Sequence, residues 1–588
     1  MTLLKNFINK NKALLLIILL GIIIYTNGIF NGFVNDDIAQ ITENATVQSI
    51  HNIPQFFFNN IFYNDGNPQL GPAYYKPLMF TSFSIIYSIF GANAMPFHIF
   101  QLLIFIANAC LLFLFLKQFF KNATALVLSL IFLVHPINTE VALYISDLQD
   151  VLYFFFGIVA LLILQRYGTK KSLAISGGLV FLSLLSKETG LLYLLISLFY
   201  VFLYRRKHFV YYLAILASFF ILYLVCRIHA IGLFTPHLNS SPIETLTFSS
   251  RLISMPAIFL FYLKQLFFPL TLSVSYLWIV QYMDLTHFYL PLVADVLFVV
   301  VIGSGLVILK NKYTVKKKRS AIEDYFSTYL FFCAWFVLGI LFHMQLVTLD
   351  KTVADRWLYF PIVGLLGMIG VFYEYLNLPN VIPAKAGIKK MIKVLPLIFI
   401  VLLILLFSIR SYERTFDFRN DLVLSLHDLQ AGEDYELEEE LCYDYFKVGR
   451  YDLVKLYAQK SIKLFPFVVN YTDLGVADVF MHDYKDAKKA YLEATKYGDY
   501  DSTYDNLSAL ALYYGDPEEN ISLIRNVYIK KFPHSPLLWL NLARLEYVNG
   551  DKRNAKKDIT AAYQLNPKDP AFEFYYRKII ENKPLTTK

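Results

Sequence analysis

The stretch KALLLIILLGIIIYTNGIFNGFVNDD, residues 12–37, runs from a basic flank through a long apolar segment to two adjacent acids. At about 1.5 Å per residue, 12–30 suffices to cross a hydrocarbon core of roughly 30 Å. Lys5, Lys10 and Lys12 hold the leading end in the cytoplasm, which places Asp36 and Asp37 outside. No small-residue cleavage site follows Thr26, so the segment reads as an uncleaved anchor rather than a signal peptide.

The remainder of the 588 residues repeats this character. The chain is 57% hydrophobic and only 17% charged, with a mean hydropathy of +0.48, which excludes an ordinary soluble protein. Aromatic residues are abundant, with 53 Phe and 43 Tyr. A formal charge of +8 sits in short clusters between apolar runs, as cytoplasmic anchoring requires, and implies no nucleic-acid partner. Cys110, Cys226 and Cys333 lie in apolar runs and Cys442 stands alone, so no disulfide framework is expected.

Crossings are expected near 12–30, 96–116, 122–134, 148–165, 172–186, 190–204, 209–227, 288–309, 326–346, 356–376 and 394–409. Basic clusters at Lys117/Lys121, Arg166/Lys170/Lys171, Arg205/Arg206/Lys207, Lys310 to Arg319 and Lys385/Lys389/Lys390/Lys393 all reach the cytoplasm if Pro77 to Phe90 and Leu252 to Phe268 do not cross. Those two are therefore read as re-entrant or interfacial helices. The polar clusters then gather outside: Asn35-Asp36-Asp37, Tyr74-Tyr75-Lys76-Pro77, His135-Pro136-Ile137-Asn138-Thr139-Glu140, Asp147 and Asp150, Ser186-Lys187-Glu188-Thr189, and Asp355-Arg356. Charges are costly at a bilayer centre, so their convergence marks a site facing water, one another or a ligand.

After Ile409 the composition turns polar. Pro466, Pro533 and Pro567 fall at multiples of the ~34-residue tetratricopeptide period. Trp539, Leu542, Gly550, Ala555, Ala562 and Pro567 occupy the pattern's slots, with Ala543 replacing its usual glycine. Tyr471, Leu474, Gly475, Tyr484, Ala487, Tyr491 and Ala494 mark an earlier unit. The expected architecture is all-α: a polytopic membrane bundle over 1–410 with about eleven crossings, a linker helix over 411–436, and an α-solenoid of about four repeats over 437–588. The solenoid has a concave face suited to extended polypeptides; the alternative is that it only caps or stabilises the bundle.

The ordered set Asn35-Asp36-Asp37, Lys76-Pro77-Leu78, His135 to Glu140, Ser186 to Thr189, Asp355-Arg356-Trp357-Leu358-Tyr359-Phe360-Pro361 and trailing repeats resembles the transmembrane O-mannosyltransferases with tetratricopeptide repeats (TMTC proteins) and their prokaryotic relatives. The likeness covers nearly the whole chain. It implies a GT-C membrane fold, a polyprenyl- or dolichyl-phosphate sugar donor, inversion, and a Ser/Thr hydroxyl acceptor on a protein. It implies a plasma-membrane or endoplasmic-reticulum enzyme among membrane lipids, with the site and repeats outside the cytoplasm and the acceptor engaged through the repeats. Lys76 stands where the pattern has Arg, Asn138 where a second His is common, and Asp355 where Glu is usual.

Such a reaction needs a base for a weak hydroxyl nucleophile and fixed positive charge for a departing phosphate. Asp36 is read as the base, with Asp37 orienting it or binding acceptor or metal. Taken alone, an Asp-Asp pair is a turn or a helix cap; its place between a membrane helix and the aromatic Phe56-Phe57-Phe58 and Phe62-Tyr63 favours chemistry. Arg356 is the first candidate for the phosphate, with Lys187 and Lys76 behind it. Their plainer roles are pairing with Asp355 and Glu188, and snorkelling to the interface. His135, Glu140, Glu188 and Asp355 are assigned to the acceptor side or to a divalent ion such as Mg2+ or Mn2+, against a structural role beside Pro136. Three further readings remain open: a protein O-oligosaccharyltransferase or O-antigen ligase-like enzyme, a lipid-linked-sugar transporter, and a membrane scaffold working through its repeats.

Overall fold

The computed structural model describes residues 2–59, 74–233, 241–313, 324–377 and 386–585, and among them the secondary structure is helical with no strand. Phe62, Tyr63, residues 314–319 and Lys385 lie outside the described residues, as do the side chains of Lys5, Lys10, Lys389, Lys390 and Lys393. The chain divides into two compact units, Met1–Gly432 and Glu433–Lys588.

In the first unit every expected crossing coincides with a helix, but the helices are not equally long. Among the described residues seven are long and apolar enough to cross a membrane, and the bent pair Asn122–Val134 with Pro136–Leu143 would make eight. The shortfall from eleven is physical. Lys170–Ser186, Leu191–Tyr204 and Pro361–Leu376 have 17, 14 and 16 residues, which at about 1.5 Å per residue reach less than a 30 Å core. Pro77–Phe90, expected not to cross, is likewise a short apolar helix of 14 residues.

Small residues let these helices approach. A Cβ on Gly364 would meet the backbone nitrogen of Phe336 at 2.4 Å, so Tyr325–Phe342 and Pro361–Leu376 pack backbone against backbone. Fully buried Trp335 stacks on Phe360 and donates from Nε1 to its carbonyl at 2.9 Å. Tyr359 is wedged against Phe105, Phe132 and Phe154. Residues 355–358, immediately before these rings, are thereby held at a fixed place on one end of the bundle.

The stretch 411–436, expected as a linker helix, is divided otherwise. The helix Ala386–Arg414 ends within it, Asp417–Arg419 forms one 3-10 turn, and Asp421–Asp428 a short helix; all three belong to the first unit.

In the second unit the leading helices of successive pairs start at 435, 468, 501, 536 and 570, the recurrence of about 34 residues expected of tetratricopeptide repeats. Tyr435–Lys447 packs on Tyr451–Leu464, Val468–Phe480 on Tyr484–Ala494, and Pro536–Val548 on Lys552–Leu565. Gly475 shows why the small position exists: a Cβ there would lie 2.4 Å from the Tyr491 ring, which is 1% exposed and has no room to turn. Gly475→Leu is expected to destabilise this unit by about 1–3 kcal/mol through overpacking. A thermal unfolding scan reads this directly, and an unchanged transition would show that the ring can yield.

Candidate functional site

Residues 31–37 leave the first membrane helix in a turn. Asn35 has φ 47°, a left-handed conformation that asparagine tolerates. The Val34 amide donates to Asp37 Oδ2 at 3.1 Å and the Asp37 amide to the Val34 carbonyl at 3.0 Å. The Ser146 amide and hydroxyl both donate to Asp37 Oδ1, at 2.7 and 2.6 Å. Asp37 is fully buried in this clasp, and one residue earlier Asp36 is exposed. The Asp36 amide donates to the Tyr144 hydroxyl at 3.2 Å.

Asp36 opens on a cavity of about 470 Å³, lined also by Lys76, Lys187, Glu188, Arg356, Asp147, Asp350, Tyr74, Tyr144, Arg227 and Trp357. The cations predicted for phosphate binding thus come together, although they derive from three distant parts of the chain. Arg356 is held by acids. Its Nη1 donates to Glu140 Oε1 at 2.5 Å and its amide to Glu140 Oε2 at 3.2 Å, while Nε lies 3.5 Å from Asp147 Oδ1. Nη1 also reaches the Val274 carbonyl at 3.4 Å. Lys187 Nζ donates to both oxygens of Asp150, at 2.9 and 2.7 Å. Lys76 precedes the Pro77–Phe90 helix, is 6% exposed, and lies over the Tyr74 ring at 4.1 Å. Glu188 fixes that segment by accepting from the Tyr75 amide at 3.2 Å, and it faces Arg227 at 3.9 Å.

Charge balance follows from these neighbours. Burial and the Lys187 ammonium lower the Lys76 pKa, opposed by Glu188, Asp36 and Asp350. Asp350 resists its burial because Arg356, Lys351, a hydrogen bond to Tyr74 and Lys76 keep its carboxyl below the usual range. Its loop is stapled by Gln345, which donates to the carbonyls of Lys351 and Thr352 at 2.7 and 3.0 Å and accepts from the Leu349 amide at 3.1 Å. Trp357 stacks on His343 beside the cavity, with centroids 5.0 Å apart.

The other predicted residues are placed elsewhere. His135 is buried, its Nε2 3.0 Å from the Leu266 carbonyl and its ring edge-on to Phe407. Asp355 accepts from Gln265, the Ser273 amide and the Tyr276 hydroxyl at 2.9, 3.2 and 3.1 Å, a clasp behind the cavity. Among the described residues no three His, Cys, Asp or Glu side chains are placed to hold a metal ion. Glu140 holds Arg356, and Asp37 holds the turn that carries Asp36. Asp350, Arg227 and Tyr144 also line the cavity; Tyr144 and Asp350 lie just outside the polar clusters at 135–140 and 355–361, and Arg227 ends an apolar run, so none belongs to a local motif.

Burial pushes the Asp37 carboxyl up to about 8, while the Ser146 and Val34 donors pull it down and Asp36 adds a small upward push. The unfolded value is about 3.9. An acid raised in this way contributes stability that is complete below about pH 4 and lost as pH rises through about 8. Thermal stability should therefore decline over that window, with a shallower slope in Asp37→Asn, which has no proton to lose; parallel slopes would contradict a neutral Asp37.

Comparison with known proteins places these features in company. No family model matches the chain. It is 29% identical over 174 residues to human protein O-mannosyl-transferase TMTC3, covering 28% of this chain and 19% of that one. It is 23% identical over 424 residues to Caenorhabditis elegans protein O-mannosyl-transferase F38B6.6, covering 70% of this chain and 57% of that one. The apo crystal structure of an Archaeoglobus fulgidus oligosaccharyltransferase aligns with a TM-score of 0.37 and 15% identity, over 68% of this chain and 56% of that one. The chain thus spans about a fifth of the first and just over half of the second of these two curated relatives, both named as protein O-mannosyl-transferases.

Proposed function

We propose that this membrane protein is a GT-C-type glycosyltransferase that moves a hexose, mannose first among the candidates, from a polyprenyl-phosphate donor to Ser/Thr hydroxyls of proteins outside the cytoplasm. The observation that carries the reading is the cavity itself. One exposed carboxylate, Asp36, shares it with Lys76, Lys187 and Arg356, a base and an anion cradle within one enclosure. The names of the relatives support the same chemistry.

In this reading Asp36 takes the proton of the acceptor hydroxyl as its oxygen attacks the anomeric carbon from the face opposite the phosphate. The carbon–oxygen bond to phosphate breaks, the electron pair leaves with the phosphate oxygen, and the sugar arrives inverted. Arg356, oriented by Glu140 and Asp147, meets the growing phosphate charge together with the lysines. The repeats supply a surface for the acceptor chain.

Glycoproteomics of cells with and without the gene tests the reading. Loss of Ser/Thr-linked hexose from secreted or membrane proteins in the deletion is expected. An unchanged glycan inventory would overturn it, and loss of an oligosaccharide instead would reassign the donor to a larger lipid-linked glycan.

A further inference from the structure

The segment between the last membrane helix and the end of the first unit is tied to both halves of the cavity. At its start, the Thr415 carbonyl accepts from Asn31 Nδ2 at 3.0 Å, and the Arg419 carbonyl accepts from the Gly32 amide at 3.2 Å. Asp421, the first residue of the Asp421–Asp428 helix, accepts from the Asn35 amide at 2.6 Å, one residue before Asp36. Asp428, the last residue of that helix, is fully buried and accepts from the Val274 amide at 2.8 Å. The carbonyl of the same Val274 accepts from Arg356 Nη1 at 3.4 Å, and its neighbour Ser273 holds Asp355. Asp428 is itself locked by Arg414, whose Nη1 and Nη2 donate to its two oxygens at 2.5 and 3.0 Å.

We propose that the Asp421–Asp428 helix is a strut that sets the spacing between the Asp36 turn and the Arg356 guanidinium, with Asp421 and Asp428 as positioning residues at its two ends. The helix spans about 10 Å between them at roughly 1.5 Å per residue, so one rigid element of about two turns reaches both sides of the cavity. A buried, doubly bonded carboxylate at one end and a charge-assisted bond to a backbone amide at the other leave it little freedom. Neither acid touches the cavity. Their effect is geometric: Asp421 aims the carboxylate by holding the Asn35 amide, and Asp428 seats the guanidinium by holding the Val274 amide.

This inference rests on the proposed reading of Asp36 and Arg356, and its test separates the two. The full-length chain is purified, undecaprenyl phosphate is used as the binding probe, and transfer to a Ser/Thr peptide is followed from undecaprenyl-phosphate mannose. Arg414→Met/Asp428→Leu replaces the buried pair with apolar side chains, an exchange that is often neutral for stability, while leaving the Val274 amide without its acceptor. Its expected signature is a weakening of undecaprenyl phosphate affinity on the order of tenfold or more, beside only the modest fall in unfolding temperature that one unpaired buried amide brings. Asp421→Ala is expected to lower kcat on the order of 10²-fold with the same probe affinity. Asp421→Asn keeps an oxygen for the Asn35 amide and should recover most of that loss. Wild-type affinity and kcat in the Arg414/Asp428 and Asp421→Ala variants would overturn the strut, as would losses that follow the unfolding temperature alone. A wild-type chain that does not bind undecaprenyl phosphate would remove the underlying reading and the strut with it.

Discussion

Asp36→Asn should lower sugar transfer to a Ser/Thr peptide by about 10²- to 10⁴-fold, the usual worth of a general base. The substitution is close to isosteric and the side chain is exposed, so folding should be untouched and the donor KM near its wild-type value. Loss confined to kcat is what a base predicts, because the amide can still fill the space but cannot take the hydroxyl proton. The adjacent acid is the internal control. Asp37 is buried against Ser146 and Val34, so its substitution should act first on stability and only through the turn on activity. A variant of Asp36 that transfers at the wild-type rate would move the base elsewhere, and Asp350 on the opposite loop would be the next carboxylate to examine.

Arg356 should show the largest combined effect on activity and folding. Arg356→Leu leaves Glu140 and Asp147 buried beside an apolar side chain, and breaking a buried ion pair from one side costs about 3–5 kcal/mol. Arg356→Lys is the informative change. An ammonium restores the charge but not the planar fork that meets Glu140 while facing the cavity. Transfer is then expected to fall on the order of 10²-fold, in the range for losing one oriented donor, with an unfolding temperature between those of the wild type and the leucine variant. Thermal scanning beside donor titration separates the two contributions. Full activity in Arg356→Lys would show that the residue only neutralises acids.

Much of this arrangement could be read from residues in order, and the part that could not has a common cause. The apolar runs locate each helix, because periodicity and length are local properties. Which helices are long enough to cross is not read from apolarity alone: Pro361–Leu376 is as apolar as its neighbours but has only 16 residues and is largely buried. Asp36 and Asp37 look equivalent in the string Asn35-Asp36-Asp37. Only Ser146, 109 residues away, makes one a clasp and leaves the other facing the cavity. Arg356 was expected to pair with Asp355 if it paired at all. It pairs instead with Glu140, 216 residues away, while Asp355 turns back to Ser273 and Tyr276. Adjacency in sequence was a poor guide at the start of a helix or in a 3-10 turn, where neighbouring side chains point in different directions. The repeats were the easier case, since a fixed period recurs from unit to unit and the small positions, Gly475 in one and Ala543 in another, fall at the same slot.

The most direct test of the central claim is the anomeric configuration of the product. Purified chain in lipid vesicles is given a polyprenyl-phosphate hexose of known anomeric configuration and a Ser/Thr peptide, and the glycopeptide is read by NMR. The account predicts a hydroxyl-linked hexose of opposite configuration to the donor, formed by the wild type and not by Asp36→Asn. A product of retained configuration, or equal product from both chains, would contradict it.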